Sequence, residues 1–219
     1  MIRALLAAGL LAAPSLGRAM AFSVGRAESS SGVSVNVMHA YGQIGAAEWR
    51  SWMYAVSQLD ASLDTLIVVD SPGGAVPGGF FLLNKVEEFL SRQAANGRKT
   101  AILNARDCSS MCIPFFYYFE RRFSVPDARF GFHGISLGGI GYDMEQTGLY
   151  LGKFTSKAAE RGDGRVAAWL DRKRAEGVFS SADLTPMKAR VLAEQDSGLL
   201  DAAGLVEGER QAIDKLVLQ

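Results

Sequence analysis

Leu66-Ile67-Val68-Val69-Asp70-Ser71-Pro72-Gly73-Gly74 decides the fold. Its four leading residues make a continuous, mostly β-branched run of strand length, the pattern of a strand buried on both faces. Ser71-Pro72-Gly73-Gly74 ends that run with strong turn chemistry. A helical pattern follows, with Leu82, Leu83, Val86, Phe89 and Leu90 on one face and Asn96-Gly97 as its stop signal. Thr100-Ala101-Ile102-Leu103 repeats the buried-strand pattern. Ser109–Arg121 reads as a second helix, and Ala128-Arg129-Phe130-Gly131-Phe132 as a third short strand. Strand, helix, strand, helix, strand predicts βαβ units and a largely parallel sheet, hence an α/β fold.

The flanks extend this frame. Upstream, Val33-Ser34-Val35-Asn36-Val37 alternates as a half-buried strand does. Ala46–Leu59 places Trp49, Trp52, Met53, Val56 and Leu59 at helical spacing. Downstream of Gly148 the chain turns helical and more charged, with one long stretch around Lys153–Glu176 and another helix over Met187–Ala203. No internal repeat is visible. Residues 33–219 read as one domain with a helical C-terminal region.

The N-terminus has a different character. Met1-Ile2-Arg3 is followed by ten apolar or small residues, Ala4 to Ala13, then Pro14, and later Ala19-Met20-Ala21. A positive charge, a short apolar core and small residues at −3 and −1 predict a secretory signal peptide over residues 1–21, cut after Ala21. The competing reading is a membrane anchor, but ten residues reach about 15 Å as a helix, half of a bilayer core. No other stretch approaches transmembrane length, so no stable membrane span is expected after signal removal. Residues 22–32, rich in serine, read as a flexible leader. The expected location is outside the cytoplasm, in a bacterial periplasm.

Composition narrows the function classes. With 219 residues, 48% hydrophobic and 21% charged, the chain fits one globular domain plus a short appendage. Lys+Arg and Asp+Glu are both 23, and losing Arg3 and Arg18 with the signal leaves a net charge of −2. Such a chain has no general electrostatic reason to seek nucleic acid or an anionic membrane. Two cysteines exclude a disulfide-scaffold miniprotein and a cysteine-rich zinc domain. Two histidines, His39 and His133, leave little for a histidine-based metal site, and none is expected.

In parallel α/β folds, ligands bind at the carboxyl ends of the strands. Three segments occupy such ends: Ser71-Pro72-Gly73-Gly74, Asp107-Cys108-Ser109-Ser110-Met111-Cys112, and Phe132-His133-Gly134. Paired glycines let backbone N–H groups face a ligand with no Cβ in the way. A serine at a helix start has free N–H donors beside it, able to hold the oxyanion formed when it attacks a carbonyl. A histidine beside it can take its proton. Each segment also has a plain reading, as a turn, a helix cap and a core histidine. Gly138-Gly139-Ile140-Gly141 lacks the Gly-Lys-Ser/Thr ending of a phosphate loop and reads as a mobile loop beside the site.

Together, Asp70-Ser71-Pro72-Gly73-Gly74 with Gly78-Gly79, Ser109-Ser110-Met111, and Ala128-Arg129-Phe130-Gly131-Phe132-His133 resemble the ClpP/crotonase superfamily. Within it they are most similar to the serine peptidase branch, the Clp proteolytic subunit and signal peptide peptidase A. Cys108-x-Ser110-x-Cys112 further resembles exported ClpP-like proteins in which cysteines flank the serine. The likeness covers residues 60–135 well and the rest loosely.

The resemblance implies a ClpP-like fold of repeated βαβ units. Ser110 would be the nucleophile and His133, 23 residues later, the general base, with Ser109 as the competing nucleophile. Met111 and Gly73 or Gly74 would supply the oxyanion hole. An orienting Asp some fifty residues past the histidine selects Asp183, with Asp171 behind it. Counting back from Gly204-Leu205-Val206 lands instead on Ala189–Leu192, where no Asp stands. Cys108 and Cys112 either form a disulfide, which an exported location permits, or remain two buried thiols.

The leading expectation is therefore an exported, ATP-independent serine endopeptidase with no cofactor, acting on a peptide or protein substrate and assembling as a homo-oligomer. A catalytically silent binding or assembly module and a crotonase-like acyl thioester enzyme are the alternatives.

Overall fold

The computed structural model describes residues 19–136 and 142–218. Seven strands form one mixed, mostly parallel sheet: β1 (Ala21–Glu28), β2 (Ser34–Tyr41), β3 (Thr65–Ser71), β4 (Thr100–Ser109), β5 (Arg121–Ser124), β6 (Arg129–Phe132) and β7 (Thr185–Lys188). The order is β1-β2-β3-β4-β6-β7, with β5 beside β4. The two outer pairs, β1/β2 and β6/β7, are antiparallel, and the rest are parallel. One edge of β4 carries two partners in succession, β5 along Ala101–Asn104 and β6 along Asp107–Ser109.

The deciding run behaves as its composition requires. Leu66 and Val68 face one side of the sheet, Ile67 and Val69 the other, and all four are buried. On the first side the cover is α7 (Glu209–Leu218), through Ala212, Ile213 and Leu216. The other side carries the larger core. Helices α1 (Glu48–Ser57), α2 (Val76–Ala95), α3 (Cys112–Tyr117), α4 (Met144–Glu160) and α5 (Gly164–Ala175) place Trp52, Phe89, Phe115, Phe116, Phe154 and Trp169 there. Trp52 meets Phe22, Phe89 and Phe115 edge-on, and each such pair contributes about 1 kcal/mol beyond the area it buries.

Several boundaries differ from the sequence reading. The expected flexible leader over 22–32 is largely strand. Phe22 and Val24 alternate against the core while β1 pairs along the whole of β2. Ala19–Ala21, read as the end of the signal, also lie in the fold: Met20 is buried and its N–H donates to the Gln43 carbonyl. The rest of that signal, residues 1–18, falls outside the described residues, as does Gly138-Gly139-Ile140-Gly141.

The second strand runs on to Ser109, so the helix read over Ser109–Arg121 shortens to α3 and gives way to β5. The stretch around Lys153–Glu176 splits into α4 and α5 where Gly162 turns left-handed, with φ +66°. The helix expected over Met187–Ala203 begins as edge strand β7, continues as α6 (Ala189–Glu194), and closes in a 3-10 turn at Ala202–Gly204. Among the described residues, no helix is long and apolar enough to cross a membrane.

Candidate functional site

The carboxyl ends of β3, β4 and β6 meet at one rim of the sheet. Ser71 aligns with Cys108, and Ser109 with Gly131.

At the first strand end, buried Ser71 organises the glycine turn. Its hydroxyl donates to the Gly42 carbonyl (2.7 Å) and accepts from the Gly73 N–H (3.1 Å). Ile44 then donates to the Gly73 carbonyl and accepts from Ala75, both at 2.7 Å. This is the parallel-bridge pattern, in which the intervening residue, Gly74, turns its own N–H to the opposite side. Gly73 sits at φ +85°, and a Cβ there would lie 2.6 Å from Ser110 Cβ and 2.8 Å from the Met111 nitrogen. The turn therefore passes directly against the serine, and only glycine fits.

The second strand end separates the two candidate serines. Ser109 is 2% exposed, and its hydroxyl donates to Asp107 Oδ1 at 2.7 Å. Ser110 is half-buried, and its Oγ has no hydrogen-bond partner among the described residues. Its φ of +53° puts a non-glycine residue in the left-handed region, at a cost of about 1–2 kcal/mol. Three hydrogen bonds hold that backbone. The Ser110 N–H donates to the Gly131 carbonyl (2.7 Å), and its own carbonyl accepts from Ile113 N–H (3.0 Å) and the Tyr150 hydroxyl (3.1 Å). Burial pushes the Tyr150 phenol far above its ordinary value, so it stays a donor at any working pH. A disulfide joins Cys108 to Cys112 around the serine, with both residues fully buried.

The third strand end carries His133, half-buried, with Nδ1 2.6 Å from the Gly134 carbonyl. A carbonyl can only accept, so Nδ1 bears the proton and Nε2 presents a lone pair. Gly134 is itself fixed. Its N–H donates to the Ser181 carbonyl (2.7 Å), and a Cβ would meet the Tyr142 ring at 2.3 Å and the Phe179 carbonyl at 2.6 Å.

Asp183, the expected orienting carboxylate, is exposed, and its hydrogen bonds are with Ser181. Neither it nor Asp171 forms a hydrogen bond or ion pair with His133. The Asp183 loop reaches the histidine through Ser181 and Gly134 main chain instead. Of the three expected oxyanion-hole donors, the Gly73 N–H is occupied by Ser71 Oγ. The N–H groups of Gly74 and Met111 have no hydrogen-bond partner among the described residues. Gly79 explains how Met111 is seated: a Cβ there would come within 2.2 Å of the Met111 side chain.

The surroundings are polar. Arg106 lies 3.4 Å from Asp70, and Arg129 lies 3.7 Å from Asp107. Partial burial raises the Asp70 carboxyl above its ordinary value. Among the described residues, no group of three or more His, Cys, Asp or Glu is placed to hold a metal. A groove of about 450 Å³ opens at the other end of the strands between Arg98, Lys99 and Arg121, and neither Ser110 nor His133 lines it. Sequence reasoning missed Ser71, Thr147, Tyr150 and Ser181. Ser71 sits inside the motif that was read, whereas nothing in sequence separates Tyr150 from a core tyrosine.

Comparison with protein-family models and with curated proteins gives no match to this chain.

Proposed function

We propose that the protein is an exported, ATP-independent serine endopeptidase of ClpP-like type, with Ser110 as nucleophile and His133 as base. The observation that carries this reading is the backbone of Ser110. A left-handed serine, pressed against a glycine turn, sits beside two N–H groups without partners and one strand away from a histidine in the base-competent tautomer. Strain of this kind at a strand end is characteristic of sites that do chemistry.

In the proposed reaction His133 Nε2 takes the Ser110 hydroxyl proton as Oγ attacks the scissile carbonyl carbon. The oxyanion forms against the Gly74 and Met111 N–H groups. His133 then returns the proton to the departing amine, and water hydrolyses the acyl-enzyme in the same sequence. The Gly134 carbonyl takes the part that a carboxylate plays in a full triad, holding the imidazole tautomer without stabilising its charge as strongly. A periplasmic location, assembly as a homo-oligomer and independence from ATP belong to the same proposal.

The test is labelling with a fluorophosphonate probe followed by peptide mapping. Stoichiometric modification of Ser110, abolished in Ser110→Ala, supports the reading. A second reading, a catalytically silent module, is favoured by one observation: among the described residues, no carboxylate hydrogen-bonds or ion-pairs with His133. Absence of labelling would select it.

A further inference from the structure

The nucleophile and the base arrive on different strands, so something must set the distance between them. Helix α4 touches both. The residue that caps it, Asp143, donates its N–H to the carbonyl of Ile135, two residues past His133, at 2.7 Å. The Ile135 N–H in turn donates to the Thr147 hydroxyl at 2.7 Å, and that hydroxyl donates to the Asp143 carbonyl at 2.7 Å. Three residues further on, just under one turn, Tyr150 donates to the Ser110 carbonyl. Thr147 and Tyr150 are 3% and 4% exposed. At i and i+3 they share one helix face, separated by about 4.5 Å along the axis.

We propose that Thr147 and Tyr150 are positioning residues that fix Ser110 relative to His133 through this single turn of α4. The inference rests on the reading of Ser110 and His133 as nucleophile and base. Thr147 fastens the chain just beyond the histidine, and Tyr150 fastens the carbonyl of the serine. A helix turn is stiff, so the two strand ends are held at one separation. Either hydroxyl alone leaves the spacing loose.

The measurement is the rate of Ser110 labelling by a fluorophosphonate, resolved into probe affinity and maximal rate, beside the thermal midpoint. Tyr150→Phe and Thr147→Val are each expected to lower the maximal rate about ten-fold with probe affinity unchanged. Thr147→Ser, which keeps the hydroxyl, should return to within two-fold of wild type. The double variant should lose little more than either single, because both act on one distance. If Thr147→Val does not fold, Thr147→Ala against Thr147→Ser makes the same comparison.

Full-rate labelling of Tyr150→Phe, or slow labelling of Thr147→Ser equal to that of Thr147→Val, overturns the inference while leaving the peptidase reading intact. A wild-type protein that never labels removes both.

Discussion

The two ends of the sheet differ in what their polar groups do. At the end where β3 and β4 begin, a groove is rich in charge, and most of its cations are engaged, Arg98 being the exception among the described residues. Lys99 binds the Val217 carbonyl, Arg121 the Leu216 carbonyl, Arg161 the carbonyls of Tyr117 and Tyr118, and Lys157 both Glu87 and Glu160. At the other end, Ser110 Oγ, His133 Nε2 and the N–H groups of Gly74 and Met111 lack partners within the described fold. Charge marks the first end, while unpaired polar groups beside a strained backbone mark the second. The second kind of signal is the one that chemistry requires.

That contrast breaks most easily at Ser110. Ser110→Ala is expected to lower peptide cleavage at least about a thousand-fold, measured with a fluorogenic peptide, with little change in stability. Wild-type cleavage by this variant would dissolve the distinction between the two ends. Next comes Gly73→Ala, whose Cβ would overlap Ser110 and Met111 at φ +85°. A loss on the order of 3 kcal/mol in chemical denaturation is expected, together with loss of labelling. Reducing the Cys108–Cys112 bridge, or replacing both cysteines with alanine, should cost about 2 kcal/mol for so short a loop. It should also slow labelling in step, because the bridge encloses the serine.

At the far end, Lys157→Ala should change stability by no more than about 1 kcal/mol and leave the labelling rate at its wild-type value. A large effect there would mean that the charged groove is coupled to the site.

The smallest effect is a pH dependence. Glu209 accepts a hydrogen bond from His39 at 2.9 Å and raises the His39 pKa above its ordinary value, against the opposing effect of burial. A group raised in the folded state stabilises below its unfolded pKa, and that contribution fades as pH rises through the folded one. The pair is half-exposed, so after screening it is worth below about 0.5 kcal/mol. Thermal midpoints of wild type and Glu209→Gln should differ at pH 5.5 and converge by pH 8.5.

Much of the fold was legible. Leu66–Val69 and Thr100–Leu103 read as buried strands because residues covered on both faces must be continuously apolar, and both are such strands. β1 was hidden because a serine-rich, weakly apolar stretch after a segment read as an export signal looks like a linker, although Phe22 and Val24 carried the period of a strand. The break between α4 and α5 depends on the left-handed turn at Gly162, which apolar periodicity does not report.

At the site, motif order selected Ser110 and His133. Ser110 was preferred to Ser109 from the sequence, whereas the choice of Gly74 over Gly73 as the free donor, and the tie of Ser109 to Asp107, came only from the hydrogen bonds of the folded chain. Such choices depend on which neighbour arrives first in space, and spacing along the chain does not encode that.

Met20 carries a consequence for maturation. Its side chain is 2% exposed and its main chain is tied to Gln43 ahead of the edge strand. Trimming the chain after Ala21 would pull that plug from the core, at a cost of about 2 kcal/mol or more by the measure of buried methionines. It would also leave a fresh ammonium on Phe22 itself. Trimming a few residues earlier would keep the plug in place, so the two possible ends differ in durability, and sequencing the first residues of the purified protein tells them apart.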